Sequence, residues 1–344
     1  MYRHGRPTLG VLAGWQFYRT ATNLSYLAPV FRGIVRAAQD LGCNLLLGCG
    51  IGPSASPADP LRPAWPDPSP DVDFAPIGPW NTDALLVANP LHTQARSEYI
   101  QGLIASGHPV LFMGAGERGP TIMADNIEGI REALRHLMAH GHRQIAFIAG
   151  SQSDLSGDSG ERLFAYRSFL EVNDLEFDPR RIAYGRHVYD GGHAAMLEIL
   201  NGGAHFTAVL ASNDEPALGA MQALEEAGRK IPSDVAVIGF DNRLEGAAHE
   251  PGLSSVHVPL FDMGYRALKH LYEHLQGKEL AQAIKVNTRL VTRASCGCSD
   301  GTASSTPEIG TEARLVTAMS ASGMSHAHSL AEQESRRLCQ AWAD

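Results

Sequence analysis

Leu9-Gly-Val-Leu-Ala13, then Val30, Ile34, Val35, Ala38 and Leu41, then Cys43-Asn-Leu-Leu-Leu47, decide the fold between them. The first and third stretches are short apolar runs of strand length. The middle one is an apolar stripe at helical spacing over 27–41, and Gly42 stops it. A strand, a covering helix and a second apolar strand make the unit of a parallel sheet buried on both faces. The unit recurs. Ala84-Leu-Leu-Val-Ala88, Val110-Leu-Phe-Met113, Ile145-Ala-Phe-Ile-Ala149, Thr207 to Ala211 and Val235 to Phe240 read as strands. Helical patterns over 97–106, 126–139, 161–173, 191–200 and 216–227 alternate with them. This predicts a doubly wound α/β protein with two such sheets in tandem.

Composition narrows the class. A chain of 344 residues with 44% hydrophobic and 19% charged residues can bury a sizeable core. The net charge of −9 argues against nucleic acid as the dominant partner. Cysteines at 43, 49, 296, 298 and 339 are odd in number and sparse, which predicts no disulfide framework. No run approaches the roughly 18 apolar residues of a membrane span, and the apolar stretch after Pro7 is too short for a signal peptide. A soluble, cytoplasmic protein without membrane contact is expected. Two segments break the alternation. The proline-rich stretch Gly52 to Pro79 reads as an irregular loop, and Ser299 to Thr311 as a linker before a helical tail that runs to Trp342.

Several motifs invite an enzymatic reading and fail on context. Gly114-Ala-Gly116-Glu-Arg-Gly119 spells a dinucleotide fingerprint, but Pro120 and an apolar extended run follow where a helix must open. Gly157-Asp-Ser159-Gly160 spells a protease tetrapeptide in the wrong fold class, at a loop before a helix. Gly297-Cys-Ser299-Asp-Gly301 spells a nucleophile elbow with a polar linker where the helix belongs. Cys296-Gly-Cys298 and His326-Ala-His328 each lack a second pair at ligand spacing, and Cys296 reads as a buried structural thiol. No catalytic residue, metal or cofactor is expected.

An ordered set of motifs carries a resemblance. It runs Asp125-Asn126-x-x-Gly129, Gly141-His142-Arg143, Glu161-Arg162-x-x-Ala165-Tyr166, Ala211-Ser-Asn213-Asp214, Ile231-Pro232 to Asp241-Asn242, Ser255-Val-His-Val-Pro259, and Arg289-Leu-Val291 to Cys296. From about Pro7 to Cys298 the chain resembles the effector-binding domain of the lactose/galactose-repressor family, which shares its fold with type-I periplasmic sugar-binding proteins. The resemblance implies two lobes joined by three crossings, with a ligand in the cleft. The expected lobes are 7–142 plus 258–278 and 143–257 plus 279–298, with crossings near Gly141–Arg143, His257–Pro259 and Gly277–Leu280. Positions matching Arg162, Asn213 and Asp241 hydrogen-bond the effector in that family. Here Asn213 and Asp241 closely follow strands, and Arg162 opens a helix after one, where α/β sheets bind ligands. Asp125 is a further candidate, and Trp15, Phe17 and Tyr18 after the first strand could stack on a sugar's apolar face.

Departures from the family shape the functional expectation. Its repressors carry a helix-turn-helix and hinge before the first strand, whereas only Met1 to Thr8 precede Leu9, too few to fold as such a module. The expectation is therefore a dimeric sensor of a small polar, sugar-like molecule, a LacI-type regulator domain that does not bind DNA alone and passes its signal to an output domain beyond 299–344. The rivals are an exported solute-binding protein for carbohydrate uptake, and an enzyme on the same fold.

Overall fold

The computed structural model describes residues 5–13, 27–48, 77–88, 94–114, 118–152 and 157–298. Strand β1 (Thr8–Leu12) lies between β2 (Asn44–Gly48) and β3 (Ala84–Ala88), parallel to both. Strands β4 (Val110–Met113) and β5 (Thr121–Ala124) extend the same sheet, also in parallel. β3 is buried at every residue, as its unbroken apolar sequence requires of a central strand covered on both faces. Helix α1 (Ala28–Leu41) opens with a proline in its first turn and closes on left-handed Gly42, whose N–H meets the Ala38 and Gln39 carbonyls. Helix α2 (Gln94–Ala105) joins β3 to β4.

Strand β6 (Ile145–Ala149) starts a second sheet. It continues through β7 (Ile182–Tyr184), β8 (Ala208–Ala211), β9 (Ala236–Asp241) and β10 (Ser254–His257), all parallel. Helices α3 (Asn126–Ala139), α4 (Asp158–Val172), α5 (Tyr189–Asn201), α6 (Asp214–Glu226) and α7 (Leu244–Ala248) belong to this half, and α3 packs on α4 and on β8 and β10. The chain then returns. Helix α8 (Leu260–Leu275) packs on α1 and on the first sheet, and β11 (Ala283–Val286) adds to β5 in parallel. β12 (Arg289–Val291) ends in the second sheet, antiparallel to β10. Each sheet thus has six strands, ordered β11-β5-β4-β3-β1-β2 and β12-β10-β9-β8-β6-β7. The expected pair of doubly wound parallel-sheet lobes is present.

Two of the expected crossings are displaced. The first is at Asp125, between β5 and α3, rather than at Gly141–Arg143. The third is at Asn287–Thr288, between β11 and β12, rather than at Gly277–Leu280. Accordingly 126–142 belongs to the second lobe and 279–286 to the first. The glycines that mark the expected places do turn the chain, with φ of 90° at Gly141 and 92° at Gly277, but each only ends a helix within one lobe. The second crossing runs through Val258–Pro259. At the first and third crossings the strands are stitched together. Asp125 N–H donates to the Val286 carbonyl (2.9 Å) and Thr288 Oγ1 to the Asp125 carbonyl (3.0 Å).

Helices α1 and α8 approach at backbone distance. A Cβ on Gly33 would collide with the Phe261 carbonyl oxygen, and one on Gly264 with that of Val30. Among the described residues no helix is long and apolar enough to cross a membrane.

Candidate functional site

The second sheet's parallel strands end together, and polar residues sit on their carboxyl ends. Ser212 and Asn213 follow β8, Asp241 closes β9, His257 closes β10 and His187 follows β7. The first two turns of α4, after β6, contribute Ser159 and Arg162. This is where an open α/β sheet offers its binding crevice. From the other lobe Gly114, after β4, faces Asp158. A Cβ there would lie 3.7 Å from Asp158 Oδ2.

Arg162 is the hub. It is 7% exposed, its Nε donates to Asn126 Oδ1 (2.8 Å), and its Nη1 donates to the Ser212 carbonyl (2.6 Å). Its guanidinium lies 3.8 Å above the Phe240 ring, and Nη1 is 4.0 Å from Asp241 Oδ1. Asn126 is fully buried and oriented by charge. Its Nδ2 donates to Asp158 Oδ1 (2.8 Å) and Glu161 Oε2 (2.9 Å), which leaves the carbonyl oxygen to receive Arg162. A second chain of contacts runs alongside. Ser159 Oγ is 2.7 Å from His187 Nε2, and His187 Nδ1 is 3.1 Å from Asn213 Oδ1. Beyond Asp241, Asn242 Oδ1 accepts from Arg293 Nη2 (2.6 Å), and its Nδ2 is 3.3 Å from His257 Nδ1.

Backbone strain gathers here. Asp241 (φ 115°), Asn242 (φ 56°), Arg186 (φ 53°) and His187 (φ 62°) hold a sign of φ that side chains disfavour. Behind this layer Asp214 is wholly buried and takes hydrogen bonds from Ser255 Oγ and the Arg243 N–H, both 2.6 Å. Burial and the neighbouring Asp241 carboxylate push its pKa up to about 8 against the opposing pull of those bonds and Arg293. Burial foremost, with Arg289 and Arg293, lowers the pKa of His257, which favours the neutral ring.

Of the sequence candidates, Arg162, Asn213 and Asp241 come together on one face. Asp125 does not join them. Its carboxylate accepts from the Glu128 N–H as the cap of α3 and lies 3.7 Å from Lys285 Nζ at the crossing. Trp15, Phe17 and Tyr18 lie outside the described residues, as do His326, His328 and Ser299. Sequence reasoning missed Asn126 and His187, and took Ser159 only as part of a protease-like tetrapeptide before a helix. Asn126 carried a signal, since it stands inside the Asp-Asn-x-x-Gly motif that drew notice for its other residue. His187 carried none, because β7 before it is only three residues long. Gly119 leads into β5, not into a helix, so no helix N-terminus follows the glycine motif.

Comparison with known proteins places this arrangement. Residues 134–296 match the model of the periplasmic binding protein-like domain. The HTH-type transcriptional regulator CelR of Thermobifida fusca is 38% identical over 173 residues, 50% of this chain and 50% of that protein. The lactose operon repressor of Escherichia coli K12 is 31% identical over 184 residues, 53% of this chain and 49% of that protein. The chain spans about half the length of the curated relatives it matches. Among solved structures, the CelR–cellobiose complex superposes with a TM-score of 0.66 at 27% identity, covering 86% of each chain. A sugar-binding LacI-family regulator from Escherichia coli, solved with phosphate, also gives 0.66 at 27% identity, over 84% of this chain and 97% of that one. Residues 134–296 thus match a periplasmic binding protein-like domain, and the described residues share the two-lobed fold of these LacI-family regulators.

Proposed function

We propose that this chain is the small-molecule sensor of a cytoplasmic transcription or signalling regulator, working as a homodimer, and that its effector is a sugar or a similar polyhydroxyl compound. The observation that carries the reading is the face built from Arg162, Asn126, Asp241, Asn213 and His187. It mixes fixed donors with acceptors, as ring hydroxyls require. Relatives that are regulators, one of them solved with cellobiose, support sensing over export for uptake. A ligand touching both lobes favours the arrangement that closes on it, and the three crossings give the lobes a place to turn. With a net charge of −9, the chain suits relaying a signal better than gripping DNA itself.

The test is a thermal-shift titration with cellobiose, other disaccharides, monosaccharides and nucleosides, since a ligand of the native state raises the melting temperature by mass action. A saccharide that stabilises wild type but not Asp241→Ala is the expected result. No shift with any saccharide, or an equal shift in the variant, would reject the assignment.

The Ser159–His187–Asn213 chain favours one other reading, a hydrolase, because it has the order of nucleophile, base and orienting group. Binding is preferred because Ser159 is 5% exposed and sits on the second residue of α4, not on a strand-to-helix elbow. Turnover of activated esters that vanishes in Ser159→Ala would reverse that preference.

A further inference from the structure

At the end of α3 farthest from the cleft, His136, Cys296 and Cys298 converge, with His140 beside Cys298. His136 and His140 stand one turn apart on the last turn of α3 and its cap, with ring centroids 4.5 Å apart. Facing them is Cys296-Gly-Cys298, the turn that follows β12. His136 Nε2 is 3.2 Å from Cys296 Sγ and 3.6 Å from Cys298 Sγ, and His140 Nε2 is 3.5 Å from Cys298 Sγ. The ligand atoms of His136, Cys296 and Cys298 all lie within 4.8 Å of one another.

We propose that His136, His140, Cys296 and Cys298 form a tetrahedral site for a thiophilic divalent ion, zinc in the first place. Zinc–sulfur bonds of about 2.3 Å and zinc–nitrogen bonds of about 2.0 Å, at tetrahedral angles, separate nitrogen from sulfur by about 3.5 Å. The three nitrogen–sulfur separations here cluster around that value. Two imidazoles and two thiols are the donor set that selects zinc over the hard cations. His-x-x-x-His on a helix is a usual half-site; the Cys-x-Cys half is tighter than usual, and Gly297 makes it feasible. Its left-handed backbone (φ 88°) reverses the chain between the cysteines and brings both sulfurs to one side.

The turn is also held ready. Ser295 Oγ donates to the Val237 carbonyl (2.6 Å) and accepts from the Ser254 N–H (2.8 Å), so Cys296 is fixed before any ion arrives. Cys296 is buried, His136 and Cys298 are half-buried and His140 is exposed, which leaves an entry path on the His140 side. An ion here would clamp the lobe's closing turn onto α3, the helix that begins at the first crossing. The competing account is a set of thiol hydrogen bonds, in which Cys296 Sγ donates to the Arg293 carbonyl (3.3 Å). Thiol contacts of Cys298 with both imidazoles belong to that same account, and the titration separates it from a metal site.

The experiment uses the full 344-residue chain, reduced and stripped with chelator, and titrates it with Co(II) and then Zn(II). The expected result is a single equivalent of cobalt with thiolate-to-metal charge transfer and the strong visible bands of a tetrahedral site, displaced by zinc. A double variant, Cys298→Ser with His140→Ala, changes only partly exposed side chains, and circular dichroism verifies its fold. It should lose the charge-transfer band and bind zinc at least about a hundred-fold more weakly, since changing supporting residues alone costs ten- to a hundred-fold. Zinc should raise the melting temperature of wild type and not of the variant. Absence of a thiolate band in the reduced wild type overturns the proposal. So does an undiminished band in the folded double variant.

Discussion

Replacing Arg162 by Met separates two roles that the residue could have. Methionine keeps most of the side chain's length and apolar volume and removes its charge and donors. The Asn126 amide oxygen and the Ser212 carbonyl then lose their donor in a dry interior, each at about 1–3 kcal/mol. The contact with the Phe240 ring, about 0.5–2 kcal/mol for a desolvated cation, goes too, and the Asp241 carboxylate loses its buried neighbour. Relief of the desolvation of a guanidinium offsets part of this. The net cost should be about 3–5 kcal/mol, the range for removing one partner of a buried charged pair. At about 2–4 °C per kcal/mol in a unit of this size, the melting temperature should fall by about 6–20 °C. Differential scanning calorimetry without ligand reads it directly. If Arg162→Met melts within about 2 °C of wild type, equivalent to roughly 0.5–1 kcal/mol, the hub is not holding the face together and Arg162 is only a hook for ligand.

Three further outcomes follow from the same geometry. Asn126→Asp sets a third carboxylate against Asp158 and Glu161 in place of the donor that joins them, so it should destabilise by about 3 kcal/mol at neutral pH and recover on acidification; denaturant midpoints that do not depend on pH relative to wild type would contradict it. Asp214 retains its proton in the fold up to about pH 8, whereas the unfolded chain releases it near pH 4, so its contribution to stability declines as pH rises between those values. Asp214→Asn should flatten that part of the profile in urea melts, and an unchanged slope would show that the carboxylate is ionised throughout. Gly264→Ala drives a methyl group into the Val30 carbonyl where α1 and α8 touch, and should cost about 1–3 kcal/mol in a chemical melt; no loss would mean the helices slide apart freely.

The fold was legible because both sheets are covered on both faces. That turns β3 and β6 into uninterrupted apolar runs and gives α1 its stripe, so strand and helix announce themselves locally. Two edge strands were not legible. β7, with three residues, and the alternating β11 depend on their neighbours rather than on their own composition. The crossings were misplaced for a related reason: a turn glycine looks the same whether the chain then stays in its lobe or leaves it. On the cleft face, Arg162, Asn213 and Asp241 were visible through ordered motifs, whereas His187 and Ser159 are joined only in space. The His136–Cys296 cluster was invisible for the same reason, since its halves lie about 160 positions apart.

The link at Asn287–Thr288 has a mechanical consequence. Val286 is the last residue of one sheet and Arg289 the first of the strand in the other, three Cα steps away. Fully stretched, those steps reach about 11 Å, and the bonds from Asp125 to Val286 and from Thr288 to Asp125 take up part of that length. The lobes are thus on a very short leash along this edge. They can pivot but cannot draw apart, and a hinge that permits only pivoting turns small gains in ligand contact into swing at the far ends of both lobes. Lengthening the link by a few residues would slacken the leash and trade directed swing for loose rattle.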